Sequence, residues 1–165
     1  MSLKPVVLIY DIDNALVDDV AAEVGLTGLY TTINTYNEAN AMDALHQYNR
    51  GFGLLSNKLS CIISGWNGHR KPREQFLYRV RAEERRSPFR RPTPFIIVTE
   101  DHRSDLKTRA LDPKQGAVCA YLDREDFKGE LAEVLRQVVY SERASALNAA
   151  AWSALREQAE PAESV

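Results

Sequence analysis

The stretch VVLIYDID, residues 6–13, decides the fold: five apolar residues run directly into two acidic residues that are separated by one isoleucine. A run that is apolar at every position predicts a strand covered on both faces, as in parallel sheets. Similar runs occur at residues 59–64, 95–99 and 117–122. The run at residues 29–35 is more mixed, so we expect that strand nearer a sheet edge.

Helix-like segments separate these five runs. Asp13 or Asn14 is predicted to cap the first helix, which Gly25 ends after Val24, and Asn37 is predicted to cap the second. The later helices are predicted at residues 71–86, with arginines away from the core, at 101–111 and at 126–139. Five strand–helix repeats predict an α/β fold with a three-layer (βα)5 sandwich and a parallel sheet in the order 2-1-3-4-5.

The length of 165 residues fits one domain, which we place at residues 1–140, followed by a helical extension and a frayed tail at residues 141–165. The longest apolar runs are far shorter than the roughly 20 residues of a membrane span, and a strand begins too early to leave room for a signal peptide. Cys61 and Cys119 lie in apolar runs, which favours buried free thiols. We therefore expect a cytoplasmic protein that does not bind membranes.

Charge is unevenly distributed along the chain, although the net charge is only -2. The first 45 residues carry seven acidic residues and one base, whereas residues 69–91 carry nine bases and three glutamates. Clustered arginine and lysine can bind nucleic-acid phosphates. A solvated helix face followed by a basic loop explains the same pattern, and the acidic chain as a whole favours that interpretation.

The ends of the predicted strands carry a family resemblance. The first strand ends at Asp11 and Asp13, the third is followed by Trp66-Asn67, and the fourth ends at Thr99. Further residues in the same order are Gly116-Ala117, Tyr121-Leu122 and Phe127. Together these features resemble the CheY-like receiver domain of response regulators, and they cover residues 5–139.

The sequence departs from that family at the residue that accepts phosphate. The resemblance places Gly65 where the family has its phospho-acceptor aspartate, and Arg124 where it has a lysine. A glycine offers no nucleophile, so we expect no catalysis and no phosphorylation there. The resemblance thus implies a degenerate receiver, or pseudo-receiver, for two-component or phosphorelay signalling. Its vestigial pocket is expected to contain Asp11, Asp13, Gly65, Thr99 and Arg124, with Tyr121 as the switch aromatic.

Each of these residues also has a purely structural interpretation. Asp11 and Asp13 can serve as helix caps, Thr99 suits a strand end, and Arg124 can form a solvated ion pair with neighbouring acids. Trp66 is expected to be a packing residue. No cofactor is expected, and if Mg²⁺ binds at all, Asp11 and Asp13 are the residues that would hold it.

The resemblance implies a protein partner or an output domain, with a homodimer as the expected form. The predicted interaction face comprises Arg103, Lys107, Arg109 and Lys128, together with Trp152 and Leu155 of the extension. The extension can dock on its own domain, pair with a second copy or lead into an output domain, and the sequence leaves these three alternatives open.

Two other functions remain as alternatives. Residues 11–17 resemble the first motif of haloacid dehalogenase-type phosphatases, except for Ala15, where that family favours threonine. That resemblance implies that Asp11 attacks phosphorus and that Asp13 is the acid and base. The remaining roles would fall to Ser64 or Thr99 for phosphate, Lys107 or Lys114 for charge, and Asp123 or Asp126 for Mg²⁺. A weaker likeness, in residues 60–64 and the helix ending at Tyr140, is to the N-terminal assembly domain of basic amino-acid decarboxylases.

Overall fold

A five-stranded parallel sheet forms the middle layer of the molecule. The computed structural model describes residues 3–49, 58–66, 75–87 and 91–159. The strands run in the order β2-β1-β3-β4-β5, and each neighbouring pair is parallel, so the predicted fold class and strand order are confirmed. The strands are β1 (Val6–Tyr10), β2 (Thr31–Thr35), β3 (Leu59–Ser64), β4 (Phe95–Thr99) and β5 (Ala120–Asp123).

Helices cover both faces of the sheet. They are α1 (Asn14–Leu26), α2 (Glu38–Asn49), α3 (Phe76–Arg85), α4 (Ser104–Leu111), α5 (Leu131–Val139) and α6 (Ala144–Ala159), with a 3-10 turn at Phe127–Gly129. Successive residues of a strand point to opposite faces, and β1 shows this alternation. Val7 and Ile9 belong to the core cluster shared with α1 and α5. Leu8 and Tyr10 belong to the cluster shared with α2, α3 and α4.

The helix caps agree with the sequence at the amino ends and differ at one carboxyl end. Asp13 caps α1 by accepting a hydrogen bond from the backbone N–H of Ala15 (3.0 Å). The prediction that Gly25 ends this helix is wrong: α1 continues to Leu26 and is capped by Thr27, whose hydroxyl donates to the carbonyl of Val24 (2.7 Å). The positive φ of the following turn (67°) lies at Gly28 instead.

The start of β5 also differs from the prediction, because the strand begins at Ala120 rather than at residue 117. A tight turn uses the preceding residues: Ala117 has a φ of 50°, and its N–H donates to the carbonyl of Asp112 (2.9 Å). Gly116 allows this turn, since a Cβ on it would lie 2.4 Å from the carbonyl oxygen of Ala110. The turn therefore packs directly against the end of α4.

An arginine inside the fold contradicts the prediction that the arginines of α3 lie away from the core. Arg81 is only 4% exposed. Its guanidinium donates to the carbonyls of Gly116 (2.8 Å) and Thr93 (2.8 Å) and to a carboxylate oxygen of Glu84 (2.7 Å). These hydrogen bonds connect α3 to the segments that lead into β4 and β5.

The extension is helical and returns to its own domain. The helix α6 packs against α4, α5 and β5, so docking on its own domain is the alternative that the structure shows. The predicted boundary at residues 140–141 falls in the turn before α6. Within the described residues, no helix combines the length and the apolar character that a membrane crossing needs.

Candidate functional site

The carboxyl ends of β1 and β3 bring Asp11 and Gly65 into direct contact. Tyr10 and Ser64 are paired in the sheet, so the next residue of each strand lies at the same edge. Asp11 is buried, with 3% of its surface exposed, and one of its carboxylate oxygens accepts a hydrogen bond from the N–H of Asp13 (2.9 Å). The other oxygen points at Gly65.

The Asp11 carboxylate fills the space that a side chain at Gly65 would need. A Cβ built on Gly65 would lie 2.0 Å from Oδ2 of Asp11 and 2.7 Å from a methyl group of Leu16. Ordinary van der Waals contact requires at least 3.4 Å. The small void lined by Leu16, Ser64 and Gly65 has no room for a water molecule. The described residues therefore leave no room for a side chain at Gly65.

Burial controls the ionisation of Asp11. The pKa of this carboxyl is raised from 3.8 to about 6, mainly because burial removes it from water; the neighbouring Asp13 carboxylate also acts to raise it. The backbone N–H groups of Asp13 and Ile12 and the cation of Arg124 act in the opposite direction. Asp11 thus titrates close to neutral pH, unlike an exposed aspartate.

The remaining predicted pocket residues have structural partners of their own. The hydroxyl oxygen of Thr99, which is 7% exposed, accepts a hydrogen bond from the N–H of Asp101 (3.0 Å). Arg124 donates to Asp19 on α1 (2.6 Å), so the prediction that it pairs with its neighbouring acids is wrong. The sequence offers no signal for this pair, because its members lie 105 positions apart.

The predicted switch aromatic, Tyr121, is held from two sides. Its hydroxyl oxygen accepts a hydrogen bond from the indole N–H of Trp66 (2.8 Å), and its O–H donates to the carbonyl of Asp101. Burial raises the pKa of Tyr121 to about 12, so it keeps this proton. Trp66 is buried and also stacks on Tyr78, with ring centroids 6.5 Å apart. The packing role predicted for Trp66 is confirmed, whereas its bond to Tyr121 was not foreseen; Asn67 lies outside the described residues.

The two aspartates do not fit Mg²⁺ as they are arranged. The Asp11 carboxylate is buried against Gly65, and the exposed Asp13 carboxylate caps α1. Across the described ranges, no group of three or more histidine, cysteine or acidic side chains could hold a metal ion. Divalent cations of this kind prefer several oxygen ligands together with water, which a closed site cannot provide.

The residues implied by a phosphatase have other partners in the fold or lie elsewhere on it. The Ser64 hydroxyl is buried and donates to the carbonyl of Gly65 (2.7 Å). Lys107 lies over the ring of Tyr121, and Asp123 is hydrogen-bonded to His102. Lys114 follows α4 at the opposite end of the sheet, and Asp126 is exposed. In addition, α1 follows β1 directly, which leaves no cap domain at that position.

The helix α6 packs over part of the predicted interaction face. Arg103, Arg109 and Lys128 are exposed, Lys107 is half-buried, and Arg103 pairs with Asp101 (2.7 Å). Trp152 and Leu155 pack against the core cluster that includes Leu106 and Leu111. Much of the apolar surface assigned to a partner is therefore used within the chain.

Three arginines in the described part of the basic segment have partners within the fold, whereas Arg86 and Arg91 are exposed. Arg79 pairs with Glu38 (3.0 Å), and Arg81 is buried. Arg85 donates to the carbonyls of Lys114 (2.8 Å) and Gln115 (3.0 Å). Arg70, Lys71, Arg73 and Arg90 of the predicted segment lie outside the described residues.

No protein-family model matches the sequence, and no curated protein matches it. Solved structures do resemble the fold. The signal receiver domain of an HD domain-containing protein from Pseudomonas fluorescens Pf-5 has a TM-score of 0.64 at 19% identity, over 87% of this chain and 99% of that chain. A response regulator receiver domain protein from Clostridium thermocellum has a TM-score of 0.61 at 14% identity, over 84% and 97%.

The RcsB response regulator of Salmonella typhimurium, described in relation to DNA interaction, has a TM-score of 0.63 at 10% identity. The likeness covers 91% of this chain and 68% of that chain. At such identities the likeness shows the fold alone: this chain has the CheY-like fold of the receiver domains of signalling proteins.

Proposed function

We propose that this chain is a pseudo-receiver, a signalling domain that acts by binding proteins and is not phosphorylated at the usual site. The observation that carries the proposal is the contact between Asp11 and Gly65. Phosphorylation of a receiver requires a nucleophilic carboxylate, acids that hold Mg²⁺ and a cation for the phosphoryl oxygens. Here glycine replaces the first, the buried Asp11 carboxyl compromises the second, and Arg124 is paired with Asp19.

The same contact argues against catalysis by Asp11. A nucleophile must be reachable by its substrate, but Asp11 is only 3% exposed, and the void that the described residues form beside Gly65 is too small for a water molecule. We propose no cofactor for this function. We propose that its partner is another protein or an output domain and that the chain forms a homodimer. We place the protein in the cytoplasm, where receiver domains of two-component pathways meet their partners.

Nucleic acid is not the favoured direct partner of this domain. The name of one structural neighbour refers to DNA interaction, but that chain is longer than the part it shares with this one. In this chain Arg79, Arg81 and Arg85 are engaged by the fold. Contact with DNA would belong to an attached output domain. The alternative function, as the N-terminal assembly domain of a basic amino-acid decarboxylase, remains a separate prediction.

Intact-mass measurement after incubation with acetyl phosphate and Mg²⁺ tests the proposal. We expect no added phosphoryl group in the wild type and none in Gly65→Asp, because the new side chain would collide with Asp11. Gly65→Ala is the matched control, since it brings the same Cβ against Asp11 without supplying a carboxylate. A phosphoryl group on the wild type that disappears in Asp11→Asn would overturn the proposal. So would turnover of a phosphomonoester that depends on Asp11.

A further inference from the structure

The helix α6 occupies a groove formed by α4, β5 and α5. On one side Trp152 and Leu155 pack against the core cluster that includes residues of α4. On the other side Leu147 packs against the cluster that includes residues of α5. Asn148 lies between these contacts. The groove therefore binds a helix, and α6 is its occupant in this chain.

Asn148 fixes the position of α6 in the groove. It is 7% exposed, and its amide donates to two backbone carbonyls, those of Leu111 (2.9 Å) and Val118 (2.7 Å). A buried carbonyl without a hydrogen bond is costly. If α6 left, a replacement would need a donor at the same place between apolar residues. The groove therefore favours a helix with the residue pattern of α6 itself.

The turn between α5 and α6 lacks the residues that usually end a helix. Glu142 has a φ of 52°, in the left-handed region that glycine or asparagine usually occupies at a helix end. Residues 131–159 contain neither glycine nor proline. Nothing in this segment prevents α5 and α6 from joining into one helix of roughly 29 residues, about 44 Å long. Joining would remove the strained conformation of Glu142.

We propose that α6 is an exchangeable helix, so that α5 and α6 of each copy join and α6 enters the groove of a second copy. The inference rests on the proposed function, binding of a protein partner, and names that partner as a second copy of this chain. Every contact that α6 makes in its own groove is available in the other copy's groove, and reciprocal exchange gives a two-fold dimer. A short, strained hinge favours such exchange.

The matched pair Glu142→Gly and Glu142→Ala tests the hinge by light scattering across a concentration series. We expect the wild type to dimerise as concentration rises. Glycine relieves the strain in the monomer and weakens the joined helix, at two hinges per dimer, so Glu142→Gly should weaken association by about a hundredfold. Alanine removes the same carboxylate but keeps the strain and the helix propensity. Glu142→Ala should therefore remain within about threefold of the wild type.

The variant Asn148→Ala shows where α6 binds in the dimer. It removes hydrogen bonds that the closed monomer and the exchanged dimer share, so association should stay close to that of the wild type. A strong increase would mean that α6 pairs outside the groove, and equal behaviour of Glu142→Gly and Glu142→Ala would mean a dimer through the outer surface. Either result overturns the exchange, as does a wild type that stays monomeric at high micromolar concentration. None of these results alters the outcome expected from intact-mass measurement with acetyl phosphate. Failure of the exchange can therefore be distinguished from failure of the proposed function.

Discussion

Replacing Gly65 with alanine should destabilise the protein through Asp11. The new Cβ would lie 2.0 Å from the Asp11 oxygen, about 1.4 Å closer than ordinary contact. Asp11 must therefore move, and movement weakens its hydrogen bond with the N–H of Asp13. Overpacking of this kind costs about 1–3 kcal/mol, and a lost hydrogen bond at a buried group costs about 1 kcal/mol more. We expect a loss of about 2–4 kcal/mol in the free energy of unfolding.

A double-mutant cycle assigns this cost to the contact. In an Asp11→Ala background the obstructing oxygen is absent, and the methyl group of Leu16, 2.7 Å from the new Cβ, belongs to a side chain that can rotate. Gly65→Ala should then cost only about 1 kcal/mol, which gives a coupling free energy of about 1–3 kcal/mol. Urea unfolding of the four proteins, with unchanged m-values, provides the measurement.

Gly25→Ala is the matched control, because a Cβ at that position meets nothing within 4 Å. It lies in α1, where alanine is a better helix former than glycine, so we expect no loss or a gain of up to about 1 kcal/mol. The reasoning is refuted if Gly65→Ala costs as much without the Asp11 carboxylate as with it. It is also refuted if Gly65→Ala costs no more than the control.

Three further predictions concern other contacts of the fold. The pKa of Asp11 is raised from 3.8 to about 6 in the folded state, so its ionisation should remove about 2–3 kcal/mol of stability as the pH rises from 4 to 7. Urea unfolding at several pH values should show this loss in the wild type and not in Asp11→Asn. The same dependence of stability on pH in both proteins would contradict the prediction. Arg81→Met should cost about 3–5 kcal/mol because it removes the donor from one carboxylate oxygen of Glu84 and from two carbonyls inside the fold. Arg136→Met, at a pair with Glu133 that is exposed on both sides, should cost much less, and similar thermal midpoints for the two variants would contradict this. Tyr121→Phe should cost about 1–2 kcal/mol and change the near-UV circular dichroism of Trp66, whose N–H loses its acceptor; an unaltered spectrum would show that the bond is not formed.

The sequence predicts the sheet well, because its central strands carry a strong local signal. The bounds predicted for β1, β3 and β4 are those observed, since each is a nearly continuous apolar run. The strand order follows from general rules for parallel sheets. Side-chain partners are harder to predict. The burial of Arg81 and the pairing of Arg124 with Asp19 depend on residues far apart in the chain, and arginine is ordinarily a surface residue.

The candidate site shows the same limit. The resemblance to receiver domains implies a glycine, Gly65, at the position of the phospho-acceptor, but the sequence cannot show that Asp11 fills the space beside it. That contact depends on the register of β1 and β3 and on the entry of the chain into α1. The return of α6 was likewise one of three alternatives, because Glu142 carries none of the usual signals for a helix end.

The position of α6 has a consequence for solubility. A strand at the edge of a sheet presents unpaired N–H and carbonyl groups to which another chain can add a strand. The two edge strands of this sheet differ in polarity and in what lies beside them. At one edge, β2 is short and polar, with the sequence TTINT; at the other, β5 lies beside α6. A chain whose α6 leaves the groove without a replacement becomes prone to aggregation, so truncation before Ala144 should yield a protein that precipitates on concentration.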